Sequence, residues 1–273
     1  MTLVMGILNV TPDSFSDGGA YLDTEVAIAH ARAMLAAGAT IIDVGGESTR
    51  PGSSRVGLED ELARVVPIVA ALAADGVTVS VDTMRAKVAS AAIDSGARII
   101  NDVSGGLADP DMLGVVAQSS ADFVLMHWRD HSERFQATAD YDDVVADVLG
   151  ELLAQRDRAV EAGLAPERII LDPGLGFSKN WDHNWTLLRH LHRFEGHGHR
   201  VLVGASRKAF LGELLGGREP LGRDGATAAV SFWAAQHGVW AVRTHDVTGQ
   251  ADAIAVARRL HREAPLPDGA HSW

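Results

Sequence analysis

At 273 residues, with 47% apolar and 22% charged side chains, the chain has the composition of an ordinary globular protein with material for a large core, which sets aside disordered and fibrous classes. It contains no cysteine, so disulfides, thiolate metal sites and a cysteine nucleophile are excluded, and a reducing compartment fits. Lys and Arg number 24 against 36 Asp and Glu; the net charge of −12 repels nucleic acid and anionic membranes, so an anionic substrate must be captured by a local cluster of cations.

The first residues, MTLVMGILNV, carry no basic segment or small-residue cleavage site. No apolar run reaches the roughly 18 residues that span a bilayer, so a cytoplasmic protein is expected. Eight short, mostly β-branched apolar runs then alternate with longer segments of helical period: Leu3–Leu8, Thr40–Val44, Val77–Val81, Arg98–Ile100, Asp122–Met126, Arg168–Leu171, Val201–Val203 and Val239–Val242. This alternation predicts βαβ units around a parallel sheet, whose strands are buried on both faces. Between the second and third runs, Leu58, Leu62, Val65, Val66, Val69 and Leu72 fall on one helical face over Leu58–Ala74, and Pro67 predicts a kink. Val144, Val145, Val148, Leu149, Leu152 and Leu153 repeat that pattern before the sixth run. Gly38, Gly76, Gly96 and Gly163 suit helix C-caps. No linker divides the chain, which reads as one domain over residues 1–264 followed by a short tail, 265–273.

Every apolar run ends in a polar or glycine-containing cluster: Asn9, Gly45 to Glu47, Asp82, Asn101 with Asp102, His127, Asp172, Ser206 to Lys208, and Arg243 with His245. In an open sheet only strands beside the switch point reach a ligand, whereas a barrel brings all the carboxyl ends to one mouth, so a single (β/α)8 TIM barrel is favoured over a doubly wound sheet. At that mouth Asp82, Asn101 and Asp172 offer acceptors for a flat heterocycle bearing N–H groups, and Lys208, Arg243 and His245 suit a phosphate or pyrophosphate. Plainer roles remain open residue by residue: a strand-end aspartate such as Asp82 can cap a helix, and a rim Arg or Lys can be a solvated ion pair. The segments Asn9–Gly19 and Gly45–Gly57 are long for βα connections and rich in turn residues, as expected of covers over such a mouth.

The segments MGILNVTPDSFSDGG, DVGGESTRPG, SVDTMRA, INDVSGG, VLMHW, LDPGLGFSKNWDHN, VGASRKAFLG and VRTHDV, in this order over residues 5–247, resemble the dihydropteroate synthase family of pterin-binding barrels. The resemblance implies a transferase that condenses 6-hydroxymethyl-7,8-dihydropterin pyrophosphate with 4-aminobenzoate, a sulfonamide target, and a homodimer. It also implies that Asp82, Asn101, Asp172 and Lys208 hold the pterin, with Met126 and Val103 lining its slot and Phe177 nearby. Asn9, Arg243 and His245 would hold the pyrophosphate, Asn9 also ligating Mg²⁺, and Thr244 would be among the substrate contacts. Asp13, Phe15, Ser16 and Asp17 fall in the first cover, and Thr49, Arg50 and Pro51 in the second.

The pocket lacks a paired nucleophile and base, and an aryl amine is already neutral at pH 7, so leaving-group stabilisation and a largely dissociative C–O cleavage are expected. Arg243→Ala is accordingly expected to lose pyrophosphate affinity while leaving pterin binding nearly intact. Many family members carry a serine after the Ser-Arg-Lys run; this chain has Ala209, which removes a hydroxyl from the expected aminobenzoate pocket. Gly174–Lys179 lacks the endings of a dinucleotide fingerprint or a P-loop. The His190–His199 tract precedes the seventh run and reads as a solvated turn at the opposite face. A pterin-binding methyltransferase-type barrel and a catalytically silent paralogue are the alternatives, the first disfavoured by Arg243, His245 and the two covers.

Overall fold

The computed structural model of the chain describes residues 2–10, 20–47, 56–130 and 138–261. Among them, eight parallel strands close on themselves in chain order: β1 (Leu3–Asn9), β2 (Ile41–Gly45), β3 (Val79–Asp82), β4 (Ile99–Asp102), β5 (Asp122–Met126), β6 (Ile169–Asp172), β7 (Arg200–Val203) and β8 (Ala241–Thr244), with β8 paired back onto β1. The interleaved helices are α1 (Ala20–Ala36), α2 (Leu58–Ala74), α3 (Ala86–Asp94), α4 (Met112–Ala117), α5 (Val144–Glu161), α6 (Trp181–Arg189), α7 (His192–Glu195), α8 (Ala209–Leu214), α9 (Asp224–Gln236) and α10 (Val247–His261). This is the (β/α)8 barrel, and closure of β8 on β1 excludes the doubly wound alternative. No described helix is long and apolar enough to cross a membrane.

Local sequence sets the helix ends. Glu59, Asp60 and Glu61 place negative charge on the first turn of α2, where the helix dipole is positive. The Asp143 side chain accepts from Val145 N and Ala146 N at the start of α5, and Asn180 with His183 closes a capping box on α6. Gly38, Gly76, Gly96 and Gly163 each take a positive φ just past a helix, as their spacing predicts. Helix α2 runs unbroken from Leu58 to Ala74 with Pro67 inside it.

Because side chains alternate across a strand, the barrel has an inner and an outer set. Val4, Leu8, Ile42, Val44, Ile100 and Phe123 belong to the outer core, packed against the helices. Met5, Ile41, Ile99, Val124, Ile170, Leu202 and Ala241 form a separate apolar cluster inside the barrel. Two residues further along the same strands, in the same inward phase, stand Asp43, Asn101, Met126, Asp172, Gly204 and Arg243. One pleat therefore separates a dry apolar layer from the layer that carries the chemistry.

The strands are longer at their carboxyl ends than the apolar runs suggest. β1, β2, β3, β4, β6 and β8 extend one or two residues further, so that Asn9, Asp82, Asn101, Asp172 and Arg243 are ladder residues. Asn9 pairs with Gly45, Gly45 with Asp82, Asp82 with Asn101, and Met126 with Asp172. Hydrophobic patterning ends where the function begins, while the backbone hydrogen bonding that holds those residues does not.

Candidate active site

A single guanidinium organises the mouth. Arg243, at the end of β8, donates through Nε to Asp43 Oδ2 at 2.6 Å and through Nη2 to Asp82 Oδ2 at 2.7 Å, reaching across the barrel to β2 and β3. Asn101 on β4 donates through Nδ2 to the same Asp43 oxygen at 3.1 Å. Asp43 is fully buried, and its second oxygen, Oδ1, has no hydrogen-bond partner. A run read as wholly apolar thus contains the carboxylate that joins the acceptor edge to the cation. Its signal in the sequence is one Asp among Ile, Ile, Val and Gly, in the inward phase set by Ile41.

The second half of the mouth is built from β6 and β7. Asp172 accepts from Gly174 N at 2.7 Å through Oδ1. Gly204, following β7, leaves the room its missing side chain would take: a Cβ there would stand 3.9 Å from both Asp172 Oδ2 and Arg243 Cβ. Lys208 donates through Nζ to Leu175 O, and that ammonium lies 4.4 Å from the centre of the Phe177 ring. Met126 and Val103 are buried on β5 and just past β4, in phase with Val124 and Asn101.

Burial pushes the Asp82 carboxyl up to about 7; the Arg243 charge opposes that rise and the Asp43 carboxylate adds to it. Burial likewise raises Asp172, against Lys208, and lowers Lys208 to about 8 despite the Asp172 carboxylate. Burial works against the Arg243 charge too, but Asp43 and Asp82 keep its pKa above the ordinary guanidinium value. Three carboxylates against two cations in a desolvated layer form a site that gains by receiving N–H donors.

The plainer readings of these residues do not hold. Asp82 caps no helix: α3 begins four residues later, at Ala86, with Arg85 as its N-cap and no side-chain cap bond. Arg243 is not a solvated rim charge, since its two bonded partners are buried carboxylates. His245 stands beside the layer, with Nδ1 2.9 Å from Ser206 Oγ, which also accepts from His245 N at 3.1 Å. Ser206 is therefore a support for the imidazole. Thr244, expected among the substrate contacts, is fully buried, and its hydroxyl donates to Asp246 O at 3.2 Å and Ser206 Oγ at 3.4 Å, which makes it another support.

Two other strand-end residues lie off the mouth. Asp102 is out of phase with Asn101 and closes a turn, accepting from Ser104 N and Gly106 N. His127 points to α5, where Nε2 meets Glu151 Oε2 at 2.9 Å. Ala209 is exposed and opens α8 directly after Lys208. In the His-rich tract before β7, His190 and His199 are occupied by the carbonyls of Thr186 and Pro166. Asp13, Phe15, Ser16, Asp17, Thr49, Arg50, Pro51 and the 265–273 tail lie outside the described residues.

The geometry agrees with what the chain is similar to. The profile of the pterin binding enzyme family matches residues 5–245. A dihydropteroate synthase from Mycobacterium leprae is 55% identical over 259 residues, covering 93% of this chain and 91% of that protein. The crystal structure of the Yersinia pestis dihydropteroate synthase with a sulfonamide drug complex superposes with a TM-score of 0.89 at 42% identity, covering 95% of this chain and 94% of that one. The Xanthomonas albilineans dihydropteroate synthase with 4-aminobenzoic acid gives 0.88 at 42% identity, covering 95% and 93%. Matches of this extent leave no room for the methyltransferase-type alternative. The chain belongs to the pterin binding enzymes and, within them, to the dihydropteroate synthases.

Proposed function

We propose that the polar layer divides the reaction between two sets of residues that share Arg243. The reaction is that of the family: 6-hydroxymethyl-7,8-dihydropterin pyrophosphate and 4-aminobenzoate give 7,8-dihydropteroate and pyrophosphate. The observation that carries the division is the bridge Asp43–Arg243–Asp82 beside Asn101 and Asp172. Asp82, Asn101 and Asp172 take the donor edge of the pterin, Met126 and Val103 sandwich its ring, and Lys208 meets an acceptor on it. Arg243 commits one N–H on Nε and one on Nη2 to carboxylates, and the rest of its five can receive the pyrophosphate together with His245.

Arg243 is held in place before substrate arrives, so no reorganisation is needed when negative charge develops on the leaving oxygens. The methylene C–O bond breaks with its electron pair leaving on pyrophosphate, and the dihydropterin delocalises the positive charge at that carbon. The aryl amine nitrogen then attacks the same carbon and loses a proton to a pyrophosphate oxygen or to water. The residues present fit a Mg²⁺ that arrives with the substrate. Asn9 Oδ1 borders the space beside Gly45, 3.7 Å from where a Cβ on that glycine would stand, and the described residues hold no group of three or more His, Cys, Asp or Glu able to cage a metal. One amide oxygen plus phosphate oxygens and water is ordinary Mg²⁺ coordination, and the ion would supply neutralisation of the pyrophosphate charge. A homodimer in the cytoplasm is part of the same reading, which follows the family resemblance.

Pyrophosphate release measured with dihydropterin pyrophosphate, with and without 4-aminobenzoate, tests the reading. Amine-dependent product is expected, and its absence would end it. Titration calorimetry with the pterin pyrophosphate should give binding that tightens with Mg²⁺ in the wild type and loses that gain in Asn9→Ala.

A further inference from the structure

The segment between β6 and α6 crosses the mouth beside Lys208 in an unusual backbone path. Gly174, Gly176 and Ser178 all have positive φ, of 66°, 79° and 49°, and Ser178 pays the steric penalty of a side chain there. Such a path persists only if its surroundings determine it. A Cβ on Gly174 would collide with His127 O, so the segment is seated directly on the backbone following β5. Tyr141 donates to Ser178 O at 2.9 Å, Thr138 lies 2.8 Å from the Ser178 hydroxyl, and Asn184 accepts from Gly176 N at 2.6 Å.

At the centre of these tethers is a buried lysine that the reaction itself does not use. Lys179 is 8% exposed; its Nζ lies 2.9 Å from Phe177 O and 2.9 Å from His127 Nδ1. The Glu151 carboxylate can only accept, so the imidazole proton lies on Nε2, facing Glu151 Oε2 at 2.9 Å, and His127 Nδ1 is left to accept from Lys179 Nζ. Arg129 closes the chain on Glu151 and stacks 3.8 Å above the Tyr141 ring. Lysine is rarely buried this far, and burial pushes its pKa well below the ordinary amine value, so the side chain is held by its hydrogen bonds and, at one remove through the imidazole, by the Glu151 carboxylate on α5. The far end of the relay is the Phe177 carbonyl, and the Phe177 ring faces the Lys208 ammonium.

We propose that Lys179 is a positioning residue: through His127 and Glu151 on one side and the Phe177 carbonyl on the other, it fixes the Phe177 ring against Lys208 as the wall that receives the aryl amine substrate. The inference rests on the reading that Asp82, Asn101 and Asp172 hold the pterin with Lys208 at its boundary; Lys208 keeps its own anchor on Leu175 O when the Phe177 ring shifts, so the two substrates should respond differently. Lys179→Met keeps the length and removes the donor. It should raise KM for 4-aminobenzoate at least tenfold, leave kcat within about twofold to threefold, and leave pterin pyrophosphate affinity within twofold. Lys179→Met combined with His127→Phe should cost no more than the larger single change, since both break one relay. Glu151 is 40% exposed on α5, so Glu151→Gln, which keeps the side chain's shape and an oxygen that can accept, is the mildest break in the relay, and it should give a smaller rise of about threefold in the same constant.

A purely structural network predicts a lowered Tm in both single variants with the KM for 4-aminobenzoate unchanged, and that result overturns the proposal. Equal losses for both substrates overturn it too. If the wild type itself makes no amine-dependent product, the underlying reading fails instead, so the two failures are distinguishable.

Discussion

The two inward layers of the barrel are built on the same strands one pleat apart, and they are opposites. The lower layer, with Met5, Ile41, Ile99, Val124, Ile170, Leu202 and Ala241, is apolar and closed. The upper layer packs buried Asp43, Asp82, Asn101 and Asp172 around a partly buried Arg243, with carboxylates exceeding cations and with the Asp43 Oδ1 unpartnered. Burial stabilises the first and destabilises the second, because desolvating a charge costs more than an imperfect partner returns. The lower layer holds the frame in which the upper layer can be kept short of donors until a substrate supplies them.

The comparison can be broken most forcefully at Arg243. Arg243→Ala leaves Asp43 and Asp82 adjacent with no cation between them, and removal of one partner of a buried pair costs about 3–5 kcal/mol. Denaturation at pH 8 should show that loss, and it should shrink on acidification as Asp82 takes up a proton. The structure also revises the sequence-based expectation for this variant: because Arg243 is bonded to the acceptor edge, pterin affinity should fall together with pyrophosphate affinity. Calorimetry with the pterin alone decides between the two.

Ile170→Ala, in the lower layer two residues before Asp172, should cost about 2–5 kcal/mol through the cavity it opens. Pterin affinity of the folded fraction should be unchanged; a parallel loss of affinity would mean that the layers are not separable. The third effect is the dependence of stability on pH. Burial holds Asp82 near 7 and Asp102 near 6, both above the 3.8 of the free carboxyl. A carboxyl raised in the folded state contributes stability that is present below pH 3.8 and lost as pH rises through the folded pKa. Between about pH 4 and 7 these two groups therefore make the protein less stable as pH increases. Buried His127, pushed down to about 4, acts in the opposite sense and removes stability as pH falls from 6.5 toward 4. Asp82→Asn should flatten the loss between pH 5 and 8 in urea midpoints, and a slope equal to the wild type's would refute the assignment.

The smallest effect is at the rim. Ala209 is exposed at the start of α8, so Ala209→Ser should change stability by no more than about 0.5 kcal/mol. One added hydrogen bond to the aminobenzoate is worth about 0.5–1.5 kcal/mol, or roughly a two- to tenfold lower KM. An unchanged KM would show that the rim does not reach that substrate.

Much of the barrel and of its mouth is legible in the sequence. Apolar runs of strand length separated by helical periods give the βα units, because both periodicities are local consequences of which face is buried. The strand-end residues Asp82, Asn101, Asp172, Lys208 and Arg243 are visible as well, since a polar residue closing an apolar run has few other reasons to be there. Asp43 is hidden inside an apolar run, and the roles of Ser206, Thr244 and Lys179 are hidden because each acts through a partner distant in sequence.

The sequence by itself determined the eight units, their order and the chemical types available at each strand end, because propensity, pattern and charge are carried residue by residue. Only the tertiary structure decided that Arg243 lies between Asp43 and Asp82, and that His127 turns from the mouth to join Lys179 with Glu151. Barrel closure brings residues 200 and 161 positions apart into hydrogen-bond contact, and a one-residue change of phase along a strand decides whether a side chain faces the substrate or the helices. Neither closure nor phase belongs to any single segment of the chain.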